Sequence, residues 1–229
     1  MCGRVAQKAP LGEIRVLFET VNPVPNAAPT YNGAPTDTLP AVRLDRDGRR
    51  SLDLLRWGLV PYWAKDIKIG ASCINAMAET VASKPAFRDA FARRQRCIVP
   101  VDAFYEWKKL GTAKQPYAIV GADGLPLAMA GLWERWKDRA SGDALQTFTI
   151  ITTVPNELCG AIHDRMPVIL PREKWATWLG EREATMDELR WMILMPYPAA
   201  LMRAYPVAQG VGNVRNNDAS LLDEISAAA

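Results

Sequence analysis

The sequence predicts an α+β fold: a single domain over residues 1–229, built around an antiparallel β-sheet or barrel with inserted helices. Two observations lead to this prediction. Short alternating or β-branched segments, separated by Gly, Pro and Asp turns, fill the middle of the chain. Amphipathic segments with helical period lie among these strands and near the end. No repeat, low-complexity segment or linker divides the chain, so one domain is expected.

The first elements are a helix, a loop and a hairpin. Four apolar residues share one face of a predicted helix over residues 11–19. Val21–Pro35 contains four of the 17 prolines and is predicted to be an irregular loop. Thr38–Leu44 and Ser51–Gly58 are predicted strands, joined by a turn at Asp45–Gly48.

The middle of the chain is predicted to be mainly strands. Their segments are Cys73–Met77, Arg96–Val101, Ala103–Lys108, Tyr117–Val120, Leu127–Trp133 and Thr147–Thr153. Pro85 stands at a favourable first-turn position before a helix predicted over Ala86–Arg94. Asp123 and Gly124 predict a hairpin turn between two of the strands.

The last third alternates helices and short strands. Pro155–Gly160 is a predicted short helix, and Pro167–Leu170 is a predicted strand. Helices are predicted over Arg172–Leu179 and Met186–Met192, followed by a final strand at Leu201–Val207.

The composition limits the class of protein. Hydrophobic residues make up 49% and charged residues 23%, as in ordinary globular proteins. A net charge of +3 permits contact with a polyanion without demanding it. The four cysteines form no CxxC pair and there is one histidine, so we expect no metal site and no cofactor. We further expect a cytoplasmic monomer with neither a disulfide framework nor a membrane span.

The residue with the most specific chemistry is Cys2. A small second residue favours removal of Met1, which would leave an α-amine and a thiol on adjacent carbons. Such a 1,2-aminothiol condenses with an aldehyde to an imine and then closes through sulfur to a thiazolidine. Both groups titrate about one to two units above neutral pH, so both are appreciably nucleophilic. The alternative is that Cys2 only begins the chain.

Three further residues would complement this nucleophile. Asn75 can orient a reacting amine or thiol, Glu106 is a carboxylate between two aromatic residues, and His163 is the only histidine. A carboxylate among apolar neighbours is suited to proton transfer, and histidine ordinarily changes charge near neutral pH. Each also has a structural alternative: a solvent-facing Glu106, a loop histidine at 163, and an Asn75 that satisfies backbone groups.

Taken together, ordered motifs along nearly the whole chain resemble the SOS response-associated peptidase family, also described as abasic-site processing proteins. The motifs are Met1–Arg4, Tyr31–Pro35, Trp57–Pro61, Ile74–Thr80, Lys84–Phe87, Arg96–Pro100, Phe104–Trp107, Ala130–Trp133, His163–Pro167 and Val211–Asn216. The resemblance implies a covalent crosslink between the protein and abasic sites in single-stranded DNA. It implies that Cys2 is the nucleophile, Asn75 orients it, Glu106 is the acid/base, and His163 assists sugar opening and crosslink reversal.

The same resemblance implies contacts to single-stranded DNA. The residues we assign to them are Arg4, Asn32, Trp63, Lys65, Asn213 and Arg215. Trp57, Trp107 and Trp133 are expected in the core instead. Relatives commonly have an arginine where this chain has Met77, so one phosphate contact is expected to be absent here.

Two other functions remain open from the sequence. One is a peptidase or amidohydrolase that uses Cys2 as an N-terminal nucleophile, in which removal of Met1 would be a limited self-cleavage. The other is a non-covalent single-stranded nucleic-acid binding module in which Cys2 has no chemical role.

Overall fold

The computed structural model describes residues 2–226, and the fold is α+β as predicted. Within these residues the strands are β1 (Val5–Gln7), β2 (Thr30–Gly33), β3 (Thr38–Leu44), β4 (Arg50–Trp57), β5 (Asn75–Met77), β6 (Arg96–Val101), β7 (Ala103–Leu110), β8 (Ala113–Gly121), β9 (Leu127–Lys137), β10 (Ala144–Thr153), β11 (Met166–Pro167) and β12 (Met202–Pro206). The α-helices are α1 (Leu11–Phe18), α2 (Arg88–Ala92), α3 (Glu157–Gly160), α4 (Trp175–Leu179) and α5 (Met186–Leu194).

The strands form a five-stranded barrel and a separate five-stranded sheet. In the barrel the order is β10-β4-β3-β6-β9, and β9 pairs with β10 to close the ring. All barrel pairings are antiparallel except β10 with β4. The second sheet has the order β12-β8-β7-β1-β2, and β5 and β11 both pair with β10.

Two apolar clusters fill the space around the barrel. One cluster combines Val42, Leu52, Ile98 and Leu132 of the barrel with residues of the helices. The other joins alternate barrel residues to the five-stranded sheet and includes Cys2, Val5, Phe104, Phe148 and Ile150. Because side chains alternate along a strand, each barrel strand contributes to both clusters. Cys2 is thereby placed at the junction of barrel and sheet.

Several predicted elements are confirmed, with changes at their ends. The strand at Thr38–Leu44 and its turn to β4 are as predicted, and Gly48 adopts a positive φ of 76° within that turn. The helix predicted over Ala86–Arg94 is shortened to α2, and the strand at Cys73–Met77 is shortened to β5. The strands β8, β9 and β10 extend beyond their predicted ends.

Three predictions are wrong. The strand predicted over Pro167–Leu170 is reduced to β11, which ends at Pro167, and to an isolated bridge between Ile169 and Met129. The predicted loop Val21–Pro35 contains β2, which pairs with the unpredicted strand β1 through Val5 and Gly33. Both strands are very short, so their pairing is a tertiary contact without a local pattern. Asp123 and Gly124 do form a turn, but it joins β8 of the sheet to β9 of the barrel and does not close a hairpin.

Among the described residues, no helix combines the length and apolar character that crossing a bilayer requires.

One acidic side chain, that of Glu134, is buried away from the candidate site. Glu134 on β9 is only 3% exposed, and burial raises the pKa of its carboxyl to about 7, although nearby Arg93 opposes the shift. The folded state therefore holds this proton more tightly than the unfolded chain.

This difference predicts a specific pH dependence of stability for Glu134→Gln. Between the ordinary carboxyl pKa of 4.5 and the folded pKa of about 7, the native state binds more protons, so wild-type stability falls as pH rises. We expect the stability of Glu134→Gln relative to wild type to grow by roughly 1–3 kcal/mol from pH 4.5 to pH 8. Urea unfolding of both proteins across this range measures it. A difference that does not change with pH contradicts the assignment.

Candidate active site

Pairing between β1 and β7 brings the N-terminus to Glu106. Val5 pairs with Phe104 in antiparallel register, and the Tyr105 N–H donates to the Arg4 carbonyl over 3.0 Å. Continued by two residues, this register puts Gly3 opposite Glu106. Cys2 is fully buried beside this position. Burial raises the pKa of the Cys2 thiol far above its usual range, and the Glu106 carboxylate raises it further.

Glu106 faces the interior and not solvent. It is 4% exposed and lies on the same side of β7 as Phe104, which packs in the cluster of Cys2. Tyr105 lies on the opposite side and packs in a different cluster. Burial raises the pKa of the Glu106 carboxyl, while the neighbouring His163 lowers it and Asp164 raises it. A buried carboxyl of this kind is suited to proton transfer.

His163 lies 4.0 Å from Glu106, measured between Nε2 and Oε2. The turn that carries the histidine is fixed by α3. The Asn156 side chain caps this helix by accepting the Cys159 N–H over 2.9 Å, and the His163 N–H donates to the Cys159 carbonyl over 2.8 Å. The imidazole is therefore held at the edge of the site with 28% of its side chain exposed.

Two groups lie within hydrogen-bonding distance of His163 Nδ1. Nδ1 lies 3.1 Å from the Arg165 N–H, which it accepts only when unprotonated. It also lies 2.9 Å from the Asp164 carboxylate, to which it donates only when protonated. Nδ1 can therefore act as an acceptor or as a donor in this position, while Nε2 faces Glu106.

Asn75 approaches the same region from β5. It pairs with Ile150, and both Ile150 and the preceding Ile74 pack in the cluster of Cys2. Its Nδ2 donates to the Ile74 carbonyl over 3.0 Å. Its Oδ1 is buried and accepts no hydrogen bond from the described residues. An acceptor in this state is suited to an incoming N–H donor.

Of the residues predicted to contact DNA, Asn32 is buried and hydrogen-bonds to other parts of the protein. Arg4 Nη1 donates to Asn32 Oδ1 over 2.8 Å and to the Val211 carbonyl over 2.7 Å. Asn32 is 3% exposed, and its Nδ2 donates to the carbonyls of Asn213 and Asn216 over 3.0 and 2.8 Å. These bonds attach the C-terminal segment to β1 and β2.

The remaining predicted DNA contacts are exposed in two places. Arg215 lies in the C-terminal segment, where Asn213 Oδ1 accepts its N–H over 3.1 Å. Trp63 and Lys65 lie in the loop after β4, and Trp63 is 41% exposed. The structure thus places Arg215 and Asn213 with Arg4, whereas Trp63 and Lys65 occupy a separate loop. Of the three tryptophans expected in the core, Trp57 is fully buried, and Trp107 and Trp133 are half-buried.

The sequence led to no predicted role for two further residues, Tyr62 and Arg165. Tyr62 is 45% exposed, is covered by the Arg93 guanidinium at 4.9 Å, and lies 3.2 Å from an Asp89 oxygen. Arg165 contacts Glu79 through both terminal nitrogens at 2.6 and 2.9 Å. A signal for each was present, because Tyr62 is next to Trp63 and Arg165 lies within the His163–Pro167 motif.

The described residues contain no group of three or more His, Cys, Asp or Glu side chains that could hold a metal ion. The four cysteines are all unpaired and buried. The chemistry available at this site is therefore that of a buried thiol near the chain start, a buried carboxyl, an imidazole and an amide. This set places a cysteine close to the chain start beside a carboxyl and an imidazole.

Comparison with known proteins identifies the family to which the chain is similar. The family model described as SOS response associated peptidase (SRAP) matches residues 1–214. The chain is 44% identical to abasic site processing protein YoaM of Bacillus subtilis over 226 residues, covering 97% of this chain and 98% of that protein. It is 32% identical to abasic site processing protein YedK of Escherichia coli, covering 98% and 100%. A crystal structure of a Bacteroides thetaiotaomicron protein superposes with a TM-score of 0.88 at 26% identity, covering 98% and 100%.

The chain belongs to the SOS response associated peptidase family. The resemblance seen in the sequence motifs is thereby confirmed. The prediction that Met1 is removed concerns a residue outside the described range.

Met77 provides a test of the surface beside Asn75. It is 43% exposed and shares one side of β5 with Asn75, whereas Ala76 between them is buried. We predict that Met77→Arg tightens binding to single-stranded DNA at low salt. Each added phosphate contact steepens the log–log salt dependence by ~0.7. Fluorescence anisotropy between low and moderate salt measures this slope, with Met186→Arg as the control at another exposed methionine. An unchanged slope would mean that residue 77 does not face the DNA backbone.

Proposed function

We propose that this protein processes abasic sites by forming a covalent crosslink between Cys2 and the aldehyde of a ring-opened abasic site in single-stranded DNA. The observation that carries the proposal is the convergence of Cys2, Glu106 and His163, with 4.0 Å between the last two. The names of the curated relatives, abasic site processing proteins, support the choice of substrate.

The reaction proceeds in three balanced steps. After removal of Met1, the Cys2 amine adds to the C1′ aldehyde, and the nitrogen proton moves to the new hydroxyl oxygen through Glu106. Glu106 then protonates the carbinolamine hydroxyl, which leaves as water, and takes back the remaining proton of the nitrogen, so that an imine forms. The Cys2 thiol then adds to the imine carbon, its proton moves to the nitrogen, and a thiazolidine ring forms. No oxidant or further reactant is needed.

Burial of the Cys2 thiol supports the amine as the first nucleophile. Burial and the Glu106 carboxylate raise the pKa of this thiol, so at neutral pH it stays protonated. A peptidase needs a thiolate to attack an amide, whereas ring closure needs the thiol only after the more electrophilic imine has formed. The same observation therefore favours aldehyde capture over amide hydrolysis.

His163 and Asn75 would act at opposite ends of the lesion. With Nε2 facing Glu106, His163 can pass a proton to the sugar oxygen as the ring opens, and the same transfer in reverse would release the crosslink. The buried Asn75 Oδ1 can accept an N–H of the Cys2 amine and direct its lone pair to the aldehyde. Both roles are those of groups that touch the reacting atoms.

The exposed cations and rings around the site would hold the strand. Arg4 and Arg215 lie near the chain start and the C-terminal segment and can contact phosphates on one side of the lesion. Trp63 offers a ring for base stacking, with Lys65 close in sequence. Asn32 would contribute indirectly, because it orients Arg4 and the segment of Asn213.

The direct test is an adduct assay with a single-stranded oligonucleotide carrying one abasic site. We expect an adduct that survives denaturing electrophoresis, and intact mass showing a protein that begins at Cys2. Cys2→Ala should form none, whereas Cys97→Ala, at another buried free cysteine, should form it normally. Non-covalent retention without an adduct would indicate a passive binding module. Full crosslinking by protein that keeps Met1 would exclude the thiazolidine.

Glu106→Gln tests the acid/base step. A group of this kind contributes ~10²–10⁴-fold, so we expect crosslinking at saturating DNA to slow by that range. Because burial raises the pKa of Glu106 above 4.5, the wild-type rate should fall as pH decreases through this raised value, and the variant should lack that limb. Glu134→Gln, at the other buried glutamate described above, is the matched control. A Glu106→Gln rate within about twofold of wild type contradicts the role.

A further inference from the structure

A second surface, which contains none of the proposed catalytic or DNA-contacting residues, lies along α5. The chain there forms an open groove of about 710 Å³ between α5 and the segment that follows it. Its apolar wall includes Trp191, Met195 and Leu201, which are 67%, 63% and 51% exposed. Trp and Met are enriched in the cores of protein–protein interfaces, and Met adapts to varied partners.

The core does not account for this apolar wall. Helix α5 buries Leu189 and Ile193 against the rest of the protein. Trp191 lies on the other side of α5, and Met195, the first residue after the helix, lines the same groove. Met186, which is 36% exposed, brings the number of exposed large apolar side chains in this short region to four. An exposed contiguous patch of this type marks a binding surface more often than scattered single residues do.

The charges on the groove define what can occupy it. Glu173, Glu183 and Glu188 line the groove with a single cation, Lys174. This gives a local charge of −2 on a protein whose overall charge is +3. Hydrogen bonds from Thr185 lower the pKa of Glu188, so its carboxyl is ionised at neutral pH. An acidic rim around an apolar floor repels nucleic acid and anionic lipid surfaces and attracts a basic partner.

We propose that this groove, hereafter the α5 groove, docks a short basic amphipathic peptide segment of a partner protein. Apolar side chains of that segment would pack on Trp191, Met195 and Leu201, and its Lys or Arg residues would face the glutamates of the rim. A second copy of this chain is a poorer match. In a symmetric dimer the same acidic rims would face each other.

The position of the α5 groove leaves the candidate active site open. The groove segment is connected to that site through Asn156, which donates to the Tyr197 carbonyl over 2.7 Å and caps α3, and through the Leu194 carbonyl, which accepts from Thr153 Oγ1 of β10. A docked partner would therefore be carried by the protein while Cys2 remains available. The proposal concerns a protein partner and holds whether or not the crosslinking chemistry is correct.

The test uses defined peptides and the full-length protein. The probe is a 15-residue peptide with Leu and Lys placed at helical period, compared with a scrambled peptide of the same composition and with a Leu–Glu version. Isothermal titration calorimetry at 150 mM salt should detect the Leu–Lys peptide alone. Trp191→Ala and the double variant Glu173→Lys/Glu183→Lys should each weaken binding by about tenfold or more.

Matched controls separate the groove from general effects. Leu110→Ala removes an exposed leucine elsewhere, and Glu13→Lys reverses an exposed charge on α1, so both should bind within twofold of wild type. Thermal unfolding checks that Trp191→Ala, at an exposed position, is folded. Absence of binding at millimolar peptide, equal binding of the scrambled peptide, or binding unaffected by the groove variants overturns the proposal. Sedimentation showing a dimer that Trp191→Ala dissociates would also overturn it.

Discussion

The site depends on one strand pairing, that of β1 with β7. β1 is only three residues long, but the register between Val5 and Phe104 fixes where the preceding residues lie. Because side chains alternate along β7, the same register directs Glu106 toward Cys2 and leaves Tyr105 on the other side. A shift of one residue would turn the carboxyl away from the N-terminus. Chain ends are ordinarily poorly ordered, but Cys2 lies inside the core here.

Burial acts in the same direction on the two buried ionisable groups of the site. It raises the pKa of the Cys2 thiol and that of the Glu106 carboxyl, so both hold protons more strongly than they would in water. A protonated thiol is a poor nucleophile toward an amide, whereas a buried carboxyl can donate a proton in one step and accept one in another. The proposed order of amine first and thiol second follows from this balance.

The C-terminal segment completes the site from a distance in sequence. Asn32 on β2 donates hydrogen bonds to the carbonyls of Asn213 and Asn216 and accepts one from the Arg4 guanidinium. This buried amide therefore connects the residue before β1, strand β2 and the C-terminal segment. The side chain of Asn32, which was predicted to contact DNA, thus forms hydrogen bonds within the protein.

The sequence alone determined the fold class and most strand positions, because these depend on local patterns. The family motifs led to the prediction of the four residues of the candidate active site. The predicted hairpin at Asp123–Gly124 was wrong because turn residues cannot report which sheet each flanking strand joins. β1 and β2 were missed because segments so short are stabilised only by their partners. The distance from Glu106 to His163, the burial of Cys2 and the commitment of Asn32 were likewise decided only by tertiary structure. Each depends on contacts between residues far apart in the chain, and solvent exclusion, which sets the proton affinity of these groups, exists only once those contacts have formed.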